Sequence, residues 1–102
     1  MFTDFNLEGQ FFAAMDGGGK HPFQFNEGIS FNIACKDQAE IDYFWDALTK
    51  NGGEESVCSW CKDKYGVSWQ INPANIDELM LKPKAWEKLM TMKKVNLKDL
   101  EA

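Results

Sequence analysis

A chain of 102 residues with 44% hydrophobic and 26% charged residues has room for one domain and one modest core, and is not disordered. Its net charge is −5, and its eleven basic residues, against sixteen acidic, are all lysine; nucleic acid and anionic membranes, which need a clustered positive face, are excluded as partners. No apolar run approaches the roughly 20 residues of a membrane span, and the start Met1-Phe2-Thr3-Asp4-Phe5 lacks a signal-peptide pattern.

Residues 3–15 read as a hairpin: Phe5 and Leu7 alternate with Asp4 and Asn6, Glu8-Gly9 makes the turn, and 10–15 returns. Gly17-Gly18-Gly19-Lys20-His21-Pro22 is a breaker. After Asn26-Glu27-Gly28 comes a strand over 29–35, with Ile29, Phe31, Ile33 and Cys35 on one face and Ser30, Asn32 and Ala34 on the other. Asp37 and Glu40 then form a capping box, and Ile41, Phe44, Trp45 and Leu48 follow as one apolar helical stripe. Asn51-Gly52-Gly53 ends that helix.

Two further strands are expected, over 56–62 and 67–72, joined by the turn Asp63-Lys64-Tyr65-Gly66. Val67, Trp69 and Ile71 share one face of the last strand, opposite Ser68 and Gln70. The tail reads as short helical pieces: Asn75 with Glu78 as a capping pair, Pro83 at a first helical position, Trp86, Leu89 and Met90 at helical spacing, and Asn96 with Asp99 capping a final turn stapled by Val95 and Leu100. The expected layout is a hairpin at 1–16, a strand–helix–strand–strand unit at 28–73 and a helical tail at 74–102, an α+β domain.

Three cysteines, Cys35, Cys58 and Cys61, without a secretory signal point to reduced thiols in the cytoplasm. Cys58-Ser59-Trp60-Cys61 is formally a C-x-x-C. Placed in a strand, however, its thiols face opposite ways, unlike the helix-start arrangement of redox motifs. Only His21 and Cys35 remain to complete a zinc site, so zinc is not expected. The glycine run lacks both the Ser/Thr of a phosphate loop and the G-x-G-x-x-G spacing of a dinucleotide turn. His21, the only histidine, reads as an exposed loop residue without an orienting partner.

The helix stripe covers one sheet face, which leaves Ser30, Asn32, Ser68 and Gln70 on the other. Small polar side chains on a sheet leave volume and offer hydrogen bonds, as a cavity lining does. Glu27 stands at the rim of this face, as a turn residue or as a carboxylate acceptor or base. Fourteen per cent aromatic residues, with four Trp and eight Phe, fit a domain with more apolar surface than its own core can hide.

Phe25-Asn26-Glu27-Gly28-Ile29-Ser30-Phe31, the Asp37-Gln38 helix start with Asp42-Tyr43-Phe44-Trp45, and the run from Lys62 through Tyr65-Gly66-Val67-Ser68-Trp69-Gln70-Ile71 resemble the PhnB-like family. That family is also labelled the 3-demethylubiquinone-9 3-methyltransferase domain and belongs to the glyoxalase/bleomycin-resistance, or vicinal-oxygen-chelate, superfamily. The resemblance extends to the tail from Trp86 to Leu100. It implies paired βαβββ modules curled around a cavity, usually in dimers, with a strand, helix and strand upstream of the hairpin. The positions matching the superfamily's metal ligands are Ser30, where His is common, and Gln70, where Glu is common.

The expected function is therefore small-molecule binding, without a metal or other cofactor, by a homodimer whose cavity the second copy completes. Ser30, Asn32, Ser68 and Gln70 are the expected ligand contacts. The alternative is a superfamily enzyme, a transferase, isomerase or dioxygenase with Glu27 as base. The family label names a methyltransferase, but no glycine-rich S-adenosylmethionine turn accompanies it.

Overall fold

The computed structural model describes residues 2–15, 19 and 24–101; apart from Gly19 the breaker at 17–22, with His21, lies outside the described residues. Strands β1 (Phe2–Leu7) and β2 (Gln10–Met15) pair in the expected hairpin. Glu8 and Gly9 both take positive φ, 52° and 82°, the primed-turn geometry whose twist matches that of the flanking strands. The Asn6 side chain supports it by accepting from the Gly9 N–H at 2.9 Å.

A second sheet holds β3 (Ser30–Cys35), β4 (Glu54–Glu55), β5 (Trp60–Lys62) and β6 (Ser68–Pro73), in the spatial order β3-β6-β5-β4. β3 and β6 run parallel and the other pairs antiparallel. With α1 (Gln38–Thr49) between β3 and β4, residues 30–73 form one βαβββ module. At the start of α1 the Asp37 carboxylate accepts from the Glu40 N–H at 2.9 Å. Glu40 reaches back in turn, to the Lys36 amide at 3.1 Å rather than to that of Asp37.

The core sits where the stripe of α1 meets the sheet. Ile41 and Trp45 pack against Cys35, Cys61 and Ile71, and Leu79, Leu89, Val95 and Leu100 from the tail close the cluster. Each large apolar side chain buried there contributes roughly 1.5–3 kcal/mol. The Trp45 indole keeps its polar end satisfied by donating to Glu55 at 2.6 Å. Gly53 makes the close approach of helix end and sheet possible: a Cβ there would press on the Leu48 carbonyl oxygen and lie 2.7 Å from Thr49 Cα and 2.8 Å from the Lys62 oxygen.

Of the strand expected over 56–62 only Trp60–Lys62 forms, and a short strand not expected from the sequence, Glu54–Glu55, precedes it. Glu54–Glu55 and Trp60–Lys62 pair with each other, and the four residues between them form a loop. Cys58 and Ser59 there take φ of 57° and 75°, because their amides turn away from the sheet to the tail, donating to the Met92 and Lys93 carbonyls at 2.8 and 3.1 Å. This corrects the placing of the C-x-x-C. Cys58 stands in the loop, half-buried, with its sulfur 3.3 Å from that of Met90, while Cys61 is in β5 and buried in the core.

The tail forms α2 (Ile76–Leu79), α3 (Ala85–Met90) and α4 (Leu97–Glu101). Asn75 precedes α2, but its carbonyl, not its side chain, takes a helix amide, that of Leu79. Pro83 is not a first helical position: α3 starts after Lys84, whose φ of 64° sets the turn. Asn96 does cap α4, accepting from Asp99 at 3.4 Å, and Val95 and Leu100 are both fully buried. Gln38 ties the tail to the module. Its amide donates to the Val95 carbonyl at 2.9 Å and to Asp42 at 3.0 Å, and its oxygen accepts from the Leu97 N–H at 2.8 Å. Among the described residues no helix is long and apolar enough to cross a membrane.

Gln38→Ala leaves a part-buried carbonyl and amide without partners, so a loss of about 2 kcal/mol is expected in urea denaturation, with faster proteolysis within 95–101. Burial, with Asp and Glu neighbours, pushes the Cys35 and Cys61 thiols up to about 11. Thiol titration of native protein at pH 8 is therefore expected to reach Cys58 alone, and all three cysteines after unfolding. Both shifts are upward, so their effect on stability is absent below the ordinary thiol pKa near 9. Stability falls as pH rises from there to 11, because only the unfolded chain ionises these thiols in that window.

Candidate functional site

The register of the module sorts its side chains into two faces. β3 and β6 pair with Ser30 opposite Ser68, Asn32 opposite Gln70 and Ala34 opposite Asn72. β5 continues the rows with Trp60 opposite Gln70 and Lys62 opposite Ser68. Side chains alternate along a strand, and Ile33, Ile71 and Cys61 belong to the helix side. The intervening residues therefore stand together on the face away from α1.

This brings Ser30, Asn32, Ser68 and Gln70 onto one surface, as two facing pairs. The Gln70 amide donates to Ser30 Oγ at 2.8 Å, and the Asn72 amide donates to Asn32 Oδ1 at 2.8 Å. These are two rungs of a neutral ladder across the parallel strands. Ser68 is 1% exposed, and its hydroxyl has no hydrogen-bond partner among the described residues. At the rim, Glu27 pairs with Lys62 at 2.5 Å. Because Lys62 lies opposite Ser68, and Ser68 opposite Ser30, that bridge crosses β6 at the level of Ser68. Hydrogen bonding to Lys62, then its charge, holds the Glu27 carboxyl below the usual carboxylate range, and the same pairing raises Lys62.

Within one chain this face is only partly exposed: Asn32 is exposed, Ser30, Trp60, Gln70 and Asn72 are half-buried, and Ser68 is buried. A cavity of about 640 Å³ lies elsewhere, between the hairpin and α1, where Phe12, Phe31, Tyr43, Phe44 and Trp69 line it. Of the four expected contact residues only Asn32 borders it, at the outer edge of β3. The hairpin is joined to the module by stacked rings: Phe5 on Phe12, Phe12 edge-on to Phe31, and Phe31 against Trp69, with centroids 5.2–5.8 Å apart.

Asn72, Lys62 and Trp60 belong to the polar surface and were not among the expected contacts. Asn72 lies two residues beyond Gln70 and was readable from alternation. Trp60 and Lys62 needed the pairing of β5 with β6, which composition and spacing leave open.

The residues at the superfamily's metal positions do not fit a divalent ion. A hydroxyl and a neutral amide are weak ligands beside imidazole and carboxylate, and Ser30 and Gln70 are hydrogen-bonded to each other. Among the described residues no group of three or more His, Cys, Asp or Glu is placed to hold a metal.

Comparison with known proteins gives these residues a family. The 3-demethylubiquinone-9 3-methyltransferase family matches residues 1–72, taking in the hairpin and nearly all of the module. The tail, where the resemblance was also read, is outside that match. A solved structure of a PhnB protein from Bacillus cereus, provisionally assigned as a 3-demethylubiquinone-9 3-methyltransferase, is 32% identical with a TM-score of 0.67. The likeness covers 72% of this chain and 64% of that one, so the chain spans less than two thirds of its neighbour's length. No curated protein matches the sequence. With the family match covering more than half its length and one complete βαβββ module behind it, the chain belongs to the PhnB-like, 3-demethylubiquinone-9 3-methyltransferase family and has the glyoxalase-type fold.

Proposed function

We propose that this protein binds an uncharged small molecule on the polar face of its sheet, without a metal, in a cavity that a second copy of the chain completes. The observation that carries this reading is the Gln70–Ser30 hydrogen bond at the two positions where metal ligands fall in the superfamily. A donor–acceptor pair there offers a neutral ligand hydrogen bonds where an ion would otherwise supply charge.

The need for a partner rests on what one chain leaves open. Its radius of gyration is 15.6 Å, against about 13 Å for a compact chain of this length, and its longest dimension is 50 Å. The hairpin stands out from the module with Phe11 84% and Met15 65% exposed. A lone two-stranded hairpin is marginal in water, and the outer edge of β3 has no neighbouring strand among the described residues. A second copy covering the aromatic cleft and the β3 edge removes both exposures.

A binding role is favoured over catalysis by the state of Glu27. Paired with Lys62 and held below the usual range, its carboxylate is a weak proton acceptor near neutral pH. The methyltransferase name is that of the family and of the Bacillus cereus neighbour. In this module the strand-to-helix connection after β3 is Lys36-Asp37, without the glycines of a nucleotide-cofactor turn. The three free thiols suit a reducing compartment such as the cytoplasm.

Light scattering on the eluting protein should give twice the chain mass of 11.7 kDa. Phe11→Glu, at a position already exposed in the single chain, should give the monomer without loss of helix signal; a monomeric wild type would sink the dimer. Protein purified without a histidine tag is expected to carry no stoichiometric zinc, nickel or iron, and chelator should leave its melting temperature unchanged. One equivalent of any of these metals would overturn the metal-free reading.

A further inference from the structure

The polar face carries one large ring that its composition does not explain. Trp60 lies directly opposite Gln70 in the antiparallel β5–β6 pair, and directly opposed residues share a face. Its neighbour Cys61 is buried against α1, so Trp60 stands on the opposite side, half-buried and outside the core cluster. The indole N–H groups of Trp45 and Trp69 donate to Glu55 and Asp63 at 2.6 and 2.9 Å. That of Trp60 has no partner among the described residues and is left available to a ligand.

The row across the three strands is Asn32, Gln70, Trp60. Gln70 uses its amide donor on Ser30 and Asn32 uses its oxygen on Asn72, so that among the described residues the Gln70 carbonyl oxygen and the Asn32 amide donor are free. The row therefore presents a donor, an acceptor and then a flat ring, over a span of about 10 Å, twice the spacing of neighbouring strands. None of these groups is charged. One row along, the buried Ser68 hydroxyl is a further polar group of the same face, unpaired among the described residues.

We propose that Trp60 is a stacking platform and that the ligand is a planar unsaturated ring bearing an uncharged carboxamide- or lactam-like edge. The ring lies on the indole, and the edge exchanges hydrogen bonds with Gln70 and Asn32. This rests on the reading of the polar face as the ligand site and adds the class of molecule it takes. Trp60 then sets specificity for flat rings, as aromatic platforms do for bases.

The test uses benzamide and cyclohexanecarboxamide, which share the amide edge and differ in whether the ring is flat, with heteronuclear NMR of the indole and side-chain amide signals. Benzamide should shift the Trp60 indole together with the Gln70 and Asn32 amides, and should bind roughly tenfold more tightly than cyclohexanecarboxamide. Trp60→Leu should abolish that preference and Trp60→Phe should retain most of it. If both probes bind equally at Gln70 and Asn32, with or without Trp60, the platform is overturned while the ligand face stands. Shifts confined to the exposed Trp86, or no shifts, would overturn the platform and the ligand face together.

Discussion

The in-register parallel pairing of β3 with β6 decides what every other part of this chain can do. It sets Ile33 beside Ile71 under α1 and, by the same alternation, Ser30, Asn32, Gln70 and Asn72 on the far side. A slip of one residue would carry the apolar set into water and the amides into the core, so burial of one face fixes the composition of the other. The hydrogen bonds of Gln70 to Ser30 and Asn72 to Asn32 then run between strands that lie 40 residues apart in the chain.

The two ends of the chain attach to this module by different physics. The tail is held by directed bonds. Gln38 takes Val95 and Leu97, the loop at Cys58–Ser59 takes the Met92 and Lys93 carbonyls, and Lys94 pairs with Asp42 at 3.0 Å. The hairpin is held by ring contacts and leaves Phe5, Leu7, Phe11 and Met15 exposed. Directed bonds fix one geometry, whereas stacked rings tolerate several. Under the dimer proposed, the hairpin is thus the element best suited to settle against the second copy.

Much of this architecture was legible in the residues. Periodicity marked α1, alternation marked β3 and β6, and Asp37, Asn96 and Glu8-Gly9 announced their cap or turn through local chemistry. The loss of strand from the first part of 56–62 was not legible, because its cause is the tail: Met92 and Lys93, more than thirty residues on, capture the amides of Cys58 and Ser59. The polar face was read as a set of side chains without its bonds, and Glu27 without Lys62, because such pairings depend on register. The aromatic cleft was foreshadowed only by composition.

The ladder on that face has one further property. Its serine, asparagine and glutamine side chains neither gain nor lose protons across the range in which the protein is folded. A neutral ligand seated on it exchanges no proton with solvent, so its heat of binding is the same in buffers of different ionisation enthalpy. Added salt, which screens charge, leaves its affinity nearly unchanged even though the chain as a whole carries −5. Under the binding role proposed, recognition by the ladder rests on shape and the direction of dipoles, with the Glu27–Lys62 pair at the rim the charge beside it.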